Sequence, residues 1–564
     1  MVTQADGSLV PFSDGGKLGD SSVLGVGSRL ATGPSAELVQ TAFARELADQ
    51  LPLFRGMSLA DLAHTITLIE TGVIPHAAGA SLLEALLALH EHPPDFVPIP
   101  ENGDLYTNRE AWLATHTSAV GWLGAGRARR ESTTTGFRIT LRSCLLAFAG
   151  ALVKTGAALV TRAAEFQSAL MADYTYLQPA QPTTFGHYLL GFVYPLLRDL
   201  ERIQELYART NLSPAGCGSV NGSRIPQNRS RQAELLGFDG LVPHARDAMW
   251  QPDGPVETLS VVVMALVNLD RLAEDLQIFA TAEFNLVELA DGHSRASVIM
   301  PQKKNPYALN YVRGATNELS GILHAVAASG RTPSGQVDNR VFAYGDVPRA
   351  LETATGVATL MAGVLAGLRF NAAQAETRLL NGFATATDLA ETITLETGLD
   401  FRTAHRIVGR LVREAAQATG SQDVTCSINR PHDKSVGYTH RQDTPSGHTA
   451  GTHHQDRTMR DLTLADLDAA AQAILGHSLP LSEQAFAQAL DSATAIEARR
   501  DSGCAASEPL ITMLSECRSA LDGYATWCQQ ASERIALAEK MLLLHAAVEA
   551  GDHLLPVPAR GGES

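Results

Sequence analysis

The sequence predicts a mainly α-helical protein in which long helices pack side by side as a bundle. Three stretches, 138–171, 188–209 and 256–279, carry apolar residues at steps of three and four, which is the spacing of a helix with one buried face. The third stretch contains no proline or glycine, and only Gly150 and Gly156 interrupt the first. Strand signals are few along the rest of the chain.

The composition suits a large protein with a small anionic ligand. The 564 residues are 45% hydrophobic and 18% charged, which indicates several domains or one long helical body with an extensive interior. Acidic residues outnumber basic ones by 60 to 44, and the net charge of −16 disfavours general nucleic-acid binding. A small anionic substrate remains compatible, because a few convergent arginines can bind one inside an acidic protein.

No segment of the sequence indicates a membrane or a secretory route. Residues 1–12 lack a basic stretch followed by an apolar one, and no apolar run approaches the roughly 18 residues of a membrane span. The six cysteines form no C-x-x-C pair, so neither a zinc site nor a disulfide framework is indicated. We expect a cytoplasmic protein without a cofactor.

Residues 430–457 form a polar segment without a hydrophobic period. They contain His432, His440, His448, His453 and His454. Histidine is a common ligand of zinc or nickel, so a metal site is one interpretation. The spacing fits no tight ligand pattern, and we favour a mobile surface insertion.

The densest set of reactive side chains lies at 293–314, HSRASVIMPQKKNPYALNYVRG. Serines stand in a flexible polar stretch beside Lys303 and Lys304, a setting suited to binding a carboxylate and activating a hydroxyl. A structural interpretation is also open, in which Pro301 and Pro306 shape a helix start and the lysines face solvent.

This stretch resembles the signature of the fumarase/aspartase superfamily, G-S-S-x-M-P-x-K-x-N-P, and MPQKKNP is the form seen in argininosuccinate lyases. The resemblance implies that Ser297 is the base that removes a proton from the carbon next to a carboxylate. It also implies that Lys303 and Asn305 contact the substrate carboxylate. Ala296 and Val298 stand where the family has a glycine and a second serine.

A second stretch, YTYLQPAQP at 174–182, is similar to the family's Y-T-H-L-Q-x-A-Q-P. By that likeness Thr175 and Gln178 contact substrate, and Tyr176 replaces the histidine that is the usual candidate for the general acid. A tyrosine can donate a proton, but its ordinary pKa of about 10 makes it a weaker acid than histidinium. Asn310 replaces a glutamate that often supports this histidine in the family.

An arginine motif lies at 126–132, GRARRES, and resembles the family's G-R-S-R-N-D-Q. The retained Arg127 and Arg129 suit bidentate binding of a carboxylate. Arg130 replaces an asparagine that contacts substrate in the family, which implies a different or additional anionic group. A solvated helix start is the alternative interpretation of these arginines.

Two further stretches depart from the family pattern. Residues 103–110, GDLYTNRE, resemble E-D-[VI]-H-x-N-x-E, with Tyr106 in place of the histidine and Asn108 retained as a polar contact. Residues 332–346 stand where argininosuccinate lyases carry L-A-Y-N-R-D-x-Q-E-D, whose tyrosine and glutamine help to hold the arginine end of the substrate. The second departure argues against argininosuccinate itself as the substrate.

The likeness extends over about 36–522 and implies the superfamily's three-domain fold, a central bundle of long helices completed in a homotetramer. Its active sites would combine motifs from three chains. The expected parts are a flexible segment at 1–35, an N-terminal helical domain at 36–137, a central bundle at 138–385, a C-terminal helical domain at 386–525 and an extension at 526–564. The extension either packs on the body or joins the subunit interface.

Together the motifs predict a carbon–nitrogen lyase that removes an amine from a succinyl-type adduct and releases fumarate. Its partner is then a small dicarboxylate-type anion, with neither nucleic acid nor membrane involved. Three alternatives stay open: a catalytically silent homologue used for binding or structure, an ordinary argininosuccinate lyase, and a non-elimination reaction such as a cycloisomerisation. Loss of the family's histidine favours the silent homologue, whereas retention of Ser297, Lys303 and Asn305 favours an enzyme.

Overall fold

The computed structural model of the chain describes residues 2–3, 9–10, 30, 32–250, 252–332, 341–418 and 458–551. Helices make up most of these residues, as the apolar spacing predicts. The histidine-rich segment 430–457 lies outside the described residues, as do most of 1–35 and residues 552–564. The metal interpretation of those histidines therefore stays a prediction.

Helices follow one another along the described chain with short connections. The N-terminal helices are α1 (Ala36–Leu38), α2 (Ala44–Gln50), α3 (Phe54–Glu70), α4 (His76–His90) and α5 (Leu105–His116). The central helices are α6 (Arg129–Glu165), α7 (Phe185–Leu190), α8 (Val193–Thr210), α9 (Arg229–Leu235), α10 (Ala245–Trp250), α11 (Asp253–Phe279), α12 (Tyr307–Ser329) and α13 (Val341–Gly367). The C-terminal helices are α14 (Ala372–Leu380), α15 (Ala386–Thr397), α16 (Phe401–Ala418), α17 (Leu464–Leu475), α18 (Glu483–Leu490), α19 (Ser492–Glu497) and α20 (Ser507–Glu549). A π-helical stretch at Val39–Phe43 joins α1 to α2, and single 3-10 turns lie at Leu51–Leu53, Pro100–Asn102, Ser118–Trp122, Asp291–His293 and Met459–Asp461.

The strands pair two by two and build no larger sheet within the described ranges. The pairs are β1 (Val2–Thr3) with β2 (Leu9–Val10), β3 (Leu170–Thr175) with β4 (Gln178–Thr184), β5 (Leu212–Ser213) with β6 (Gly240–Leu241), β7 (Val287–Glu288) with β10 (Arg369–Phe370), and β8 (Arg295–Ala296) with β9 (Lys304–Asn305). Only the β5–β6 pair among them is parallel. The hairpin β3–β4 carries the YTYLQPAQP stretch, which the apolar pattern does not mark as a strand.

The predicted helical stretches match the observed helices to different degrees. Stretch 256–279 lies within α11, as predicted. Stretch 138–171 belongs to α6, but that helix begins earlier, at Arg129, and ends at Glu165, where the chain turns into the β3–β4 hairpin. Stretch 188–209 is divided between α7 and α8 by the glycine that follows α7. The uninterrupted stretch is thus the one whose limits the sequence predicts best.

Helices α6 and α13 run parallel through the hydrophobic core. In their first turns the hydroxyl groups of Thr134 and Tyr344 lie 2.8 Å apart. At their last turns the Arg162 guanidinium donates to the carbonyl oxygen of Leu368. By length and composition alone both helices could cross a membrane, but here their apolar side chains lie side by side at the centre of the core.

Two main hydrophobic cores are separate in the part of the chain that the structure describes. The larger core joins the N-terminal and central helices with α20, and it includes Cys528, Leu542 and Ala546 from the expected extension. The smaller core joins α15 to α18, from Leu389 to Ala489. The described part of the extension is therefore the second half of α20, and it packs on the body of its own chain.

Helices α3 and α6 approach so closely that two glycines meet at their crossing. A Cβ atom on Gly56 would lie 2.4 Å from the carbonyl oxygen of Gly136, and one on Gly136 would lie 2.8 Å from the backbone nitrogen of Met57. Both obstacles are backbone atoms, which cannot rotate away as a side chain can. The crossing places Asp61 of α3 beside Ser132 in the first turn of α6, with 2.9 Å between the two side-chain oxygens.

Gly136→Ala should lower the free energy of unfolding by about 1–3 kcal/mol, because the added methyl group forces the two helices apart. Gly150→Ala is the matched control on the same helix, since a Cβ atom there meets no atom within 4 Å. The control should instead stabilise the helix by up to about 1 kcal/mol. Urea unfolding at one protein concentration measures both, and equal effects of the two substitutions would contradict the close helix crossing.

Candidate active site

A buried aspartate organises the arginine motif. The carboxylate of Asp61 accepts from Arg127 Nη2 at 2.6 Å and from Ser132 Oγ at 2.9 Å through one oxygen. Its other oxygen accepts from Arg109 Nη2 at 2.8 Å. All four side chains are buried, with Asp61 and Arg109 fully excluded from solvent. Helices α3 and α5 and the turn before α6 are therefore joined by one charged cluster.

These charges hold Arg127 inside the protein. Burial by itself raises the pKa of Asp61, but the charges of Arg127 and Arg109 outweigh burial and hold that pKa below its ordinary value. The guanidinium of Arg127 is thus engaged by Asp61, and its direct contact with substrate stays a prediction. Sequence reasoning misses Asp61, although a single carboxylate within an apolar helical stretch is a signal for a buried charge partner.

Asn108 shapes the turn that precedes α5. Its side-chain oxygen accepts from the backbone nitrogen of Ile99 at 2.8 Å, and its nitrogen donates to the carbonyl oxygens of Gly103 at 3.3 Å and Asp104 at 3.0 Å. The amide is therefore used within its own chain. Tyr106, two residues earlier, is buried, and burial raises the pKa of its phenol to about 12.

Arg129 and Arg130 differ from Arg127 because their side chains reach the surface. The Arg129 side chain is 49% exposed, and its Nε lies 3.4 Å from a carboxylate oxygen of Asp104. The Arg130 side chain is 20% exposed, and its Nη1 lies 3.9 Å from a carboxylate oxygen of Glu46. Of the three arginines, these two are the ones that solvent reaches, and their contact with substrate stays a prediction.

Glu131 anchors the first turn of α6 to a glycine-rich turn. Its carboxylate accepts the backbone N–H groups of Gly216 at 2.9 Å and Gly218 at 2.5 Å. Burial raises the pKa of this carboxyl to about 7, against the opposing charge of Arg127 and the two N–H donors. The glutamate occupies the aspartate position of the family motif and serves here to fix the start of α6.

The tip of the β3–β4 hairpin presents Tyr176 to solvent. Thr175 pairs with Gln178, which leaves Tyr176 and Leu177 as a two-residue turn with φ values of +54° and +58°. Such turns favour Asn-Gly, and a left-handed backbone costs other residues about 1–2 kcal/mol each. Tyr176 is fully exposed in the single chain. The hairpin thus holds the predicted acid and both predicted contacts at one projecting tip.

The signature loop, residues 297–303, is closed at its base by β8 and β9. The side-chain nitrogen of Asn305 donates to the carbonyl oxygen of Arg295 at 2.9 Å. At the start of the loop, Ser297 Oγ accepts the backbone N–H of Met300 at 3.0 Å and that of Ile299 at 3.4 Å. The serine oxygen therefore sits opposite two donors.

The two lysines of the loop are in different settings. Lys304 Nζ lies 2.7 Å from a carboxylate oxygen of Glu288 and 2.7 Å from one of Asp291. Lys303 is exposed, as is Val298 at the loop tip. Lys304 therefore fixes the loop base, and the contact of Lys303 with substrate stays a prediction.

The two sets of motifs lie at opposite ends of α6. The arginine motif is at its first turn, whereas Phe166, just past its last turn, packs on Phe370 with 5.5 Å between ring centroids. Phe370 belongs to β10, which pairs with β7 shortly before the signature loop. At 1.5 Å per residue, α6 separates Arg129 from Arg162 by about 50 Å. A single chain therefore does not bring Arg129 and Ser297 together.

Comparison with known proteins agrees with these motifs. A family model described as "Lyase" matches residues 103–321, and one described as "Argininosuccinate lyase C-terminal" matches 383–429. An argininosuccinate lyase of Methanosarcina acetivorans is 33% identical over 394 residues, which cover 69% of this chain and 80% of that protein. The chain belongs to the argininosuccinate lyase family. One of its relatives in Methanoculleus marisnigri, also an argininosuccinate lyase, is 30% identical over 500 residues, covering 86% of this chain and 92% of that protein.

Solved structures confirm the fold of this family member. An EDDS lyase variant with bound fumarate is 26% identical and superposes with a TM-score of 0.77, covering 93% of this chain and 98% of that one. A 3-carboxy-cis,cis-muconate lactonizing enzyme from Pseudomonas putida, 18% identical, shares the fold with a TM-score of 0.60 over 87% of this chain and 98% of that one. The mainly α fumarase/aspartase-like fold and the resemblance to argininosuccinate lyases are both confirmed.

Some predicted features fall partly or wholly outside the described residues. Residues 333–340 of the divergent stretch 332–346 are not among them.

Asn310, which replaces the family glutamate, lies exposed in the first turn of α12. Within the described ranges no group of three or more histidine, cysteine or acidic side chains is arranged to hold a metal ion.

Asp61→Asn should lower the free energy of unfolding by about 3–5 kcal/mol at neutral pH, because it leaves two buried arginines facing a neutral amide. Asp522→Asn, at an exposed position of α20, is the control and should change stability by less than about 0.5 kcal/mol.

The pH dependence of the Asp61→Asn effect has a defined sign. A depressed carboxyl pKa stabilises the fold above the ordinary aspartate pKa of about 4, and this contribution is lost as the pH falls. The difference in unfolding free energy between the wild type and Asp61→Asn should therefore shrink below about pH 4, where the wild type loses the same charge. A small difference in unfolding free energy at neutral pH would contradict the buried charge cluster.

Proposed function

We propose that the protein is a lyase that eliminates an amine from an N-succinyl-type adduct and releases fumarate. The observation that carries this proposal is the setting of Ser297, whose Oγ faces the N–H groups of Ile299 and Met300. A serine is a weak base unless its oxyanion is stabilised, and two preorganised N–H donors provide that stabilisation. Family membership and the fumarate bound to an EDDS lyase variant support the same reaction class.

The signature loop would remove the proton and stabilise the charge that results. Ser297 takes the proton from the carbon next to the substrate carboxylate, and negative charge spreads onto that carboxylate. Lys303 supplies a cation for it and Asn305 an amide donor. One N–H of Asn305 already bonds the carbonyl oxygen of Arg295, which aims the amide and leaves its second hydrogen for the substrate.

The departing amine would be protonated at the tip of the β3–β4 hairpin. The electron pair of the broken C–H bond forms the double bond of fumarate, and the C–N bond breaks with its electrons moving to nitrogen. Tyr176 is the group proposed to protonate that nitrogen, with Thr175 and Gln178 holding the substrate beside it. A phenol is a weaker acid than the histidinium of the family, which favours a leaving amine that needs little acid assistance.

We infer that the complete site forms in a homotetramer. Arg129 and the signature loop are separated along α6 by about 50 Å in one chain, far more than a small dicarboxylate can bridge. The left-handed turn at Tyr176 and Leu177, in which Tyr176 is fully exposed, also supports a partner chain that covers it. Copies of the chain would therefore each contribute different motifs to one site.

The substrate is proposed to differ from argininosuccinate in its leaving group. Arg130 places a partly exposed cation near Glu46, at a position where the family carries a neutral asparagine. A leaving group with an anionic substituent fits this cation better than the positively charged side chain of arginine. The replaced sequence at 332–346 supports the same conclusion.

A catalytically silent homologue is the second candidate. The replacements that favour it are Tyr106, Tyr176 and Asn310, which remove the family's histidines and supporting glutamate. A silent protein would keep the fold and bind a dicarboxylate without turnover.

Fumarate release, followed by ultraviolet absorbance, should occur with at least one N-succinyl amine in a panel that also contains argininosuccinate and EDDS. Ser297→Ala should reduce the rate by at least about 100-fold, because it removes the base. Ser320→Ala is the control, since its hydroxyl donates to the carbonyl oxygen of Thr316 within α12, away from the signature loop, and it should retain most activity.

The outcomes of this screen separate the candidates. Release from argininosuccinate at the highest rate would identify an ordinary argininosuccinate lyase. No release from any panel member, with fumarate binding unchanged in Ser297→Ala, would establish the silent homologue and overturn the proposal.

A further inference from the structure

Two glycines near the end of α13 form a notch that receives the ring of His293. A Cβ atom on Gly363 would lie 2.9 Å from His293 Nε2 and 3.5 Å from its Cε1. A Cβ atom on Gly367 would lie 3.7 Å from Nδ1 of the same ring. Residues four apart share one face of a helix, so the imidazole rests on a strip of α13 that carries no side chains.

The ring is held in this notch by packing. Its Nδ1 is buried and has no hydrogen-bond partner among the described residues. A buried polar atom without a partner costs free energy, so the imidazole nitrogen does not explain why the ring is seated there. The close approach of the flat ring to the two glycines does, because a side chain at either position would meet the ring.

His293 connects directly to the base of the signature loop. The backbone N–H of the next residue, Ser294, donates to the carbonyl oxygen of Asp291 at 3.0 Å, and its hydroxyl donates to that of Ala290 at 3.1 Å. Strand β8 follows at once and leads into Ser297. The loop tip beyond it is exposed, so the position of the serine depends on how the base is fixed.

The second strand at the loop base, β9, is also connected to the end of α13. Lys304 of β9 is paired with Glu288 and Asp291, and Glu288 belongs to β7. Strand β7 pairs with β10, which begins two residues after α13 ends. The last turns of α13, the strand pair and the loop base therefore form one connected unit, with His293 as its contact on the helix.

We propose that His293 is a positioning residue whose ring, seated in the Gly363–Gly367 notch, fixes the base of the loop that carries Ser297. Its kinetic consequence rests on the lyase function proposed above, whereas its structural consequence does not. The ring acts through shape, so a phenyl ring should replace it and a small side chain should not.

The test uses a glycine pair on one helix. Gly363→Ala puts a methyl group into the notch, whereas Gly356→Ala on the same helix meets no atom within 4 Å. Gly363→Ala and His293→Ala should each speed hydrogen exchange of a peptide covering 295–305, and each should lower kcat for fumarate release at least about tenfold. Gly356→Ala and His293→Phe should leave both readouts near wild type.

A double variant makes the test specific for the ring in the notch. Once His293 is alanine, adding Gly363→Ala should cost little more, because the methyl group no longer meets the ring. Additive effects, or equal exchange rates for the Gly363 and Gly356 variants, would overturn the proposal. If the wild type released no fumarate, the lyase function would fail, while the exchange pattern would still decide the role of His293.

Discussion

The parallel packing of α6 against α13 is the constraint on which the candidate site depends. The Thr134–Tyr344 bond ties their first turns, and the Arg162–Leu368 bond ties their last. Helix α6 therefore spans about 50 Å beside α13, with the arginine motif at one end and the signature loop and hairpin at the other. Because a helix of this length does not bend back on itself, the two sets of motifs do not meet within one chain, and this separation is the basis for the proposed site between copies.

At each end of α6, carboxylates of the same chain hold one basic residue of the local motif more closely than its neighbour. At the arginine end, Asp61 holds Arg127 in the interior and leaves Arg129 at the surface. At the loop end, Lys304 pairs with two carboxylates, whereas Lys303 makes no ion pair with the described residues. Each motif thus contains one cation that fixes its own geometry and a neighbour that is proposed to meet an anion. Retained basic residues in such motifs therefore need not all be substrate contacts.

The sequence predicts the features that depend on local pattern and misses those that depend on contacts across the fold. The stretch 256–279 of helix α11 is predicted well because no glycine or proline interrupts its apolar spacing, and Ser297 is proposed as the base because its motif is contiguous. The β3–β4 hairpin is missed since its turn is Tyr-Leu instead of Asn-Gly. Asp61 lies 66 residues from Arg127, so only the folded chain reveals that the two side chains are partners. The notch that holds His293 likewise requires α13 to be in place.

The most direct test of the shared site is to mix two inactive variants. Ser297→Ala disables the loop end and Arg129→Ala the arginine end. Subunits unfolded together and refolded should form mixed assemblies in which some sites have both ends intact, so fumarate release should return to a measurable fraction of wild type. A mixture of Ser297→Ala with Lys303→Ala, which affect the same loop, should stay inactive. Mass spectrometry would establish whether mixed assemblies form. If they form but remain as inactive as that control, a site built from different copies is contradicted.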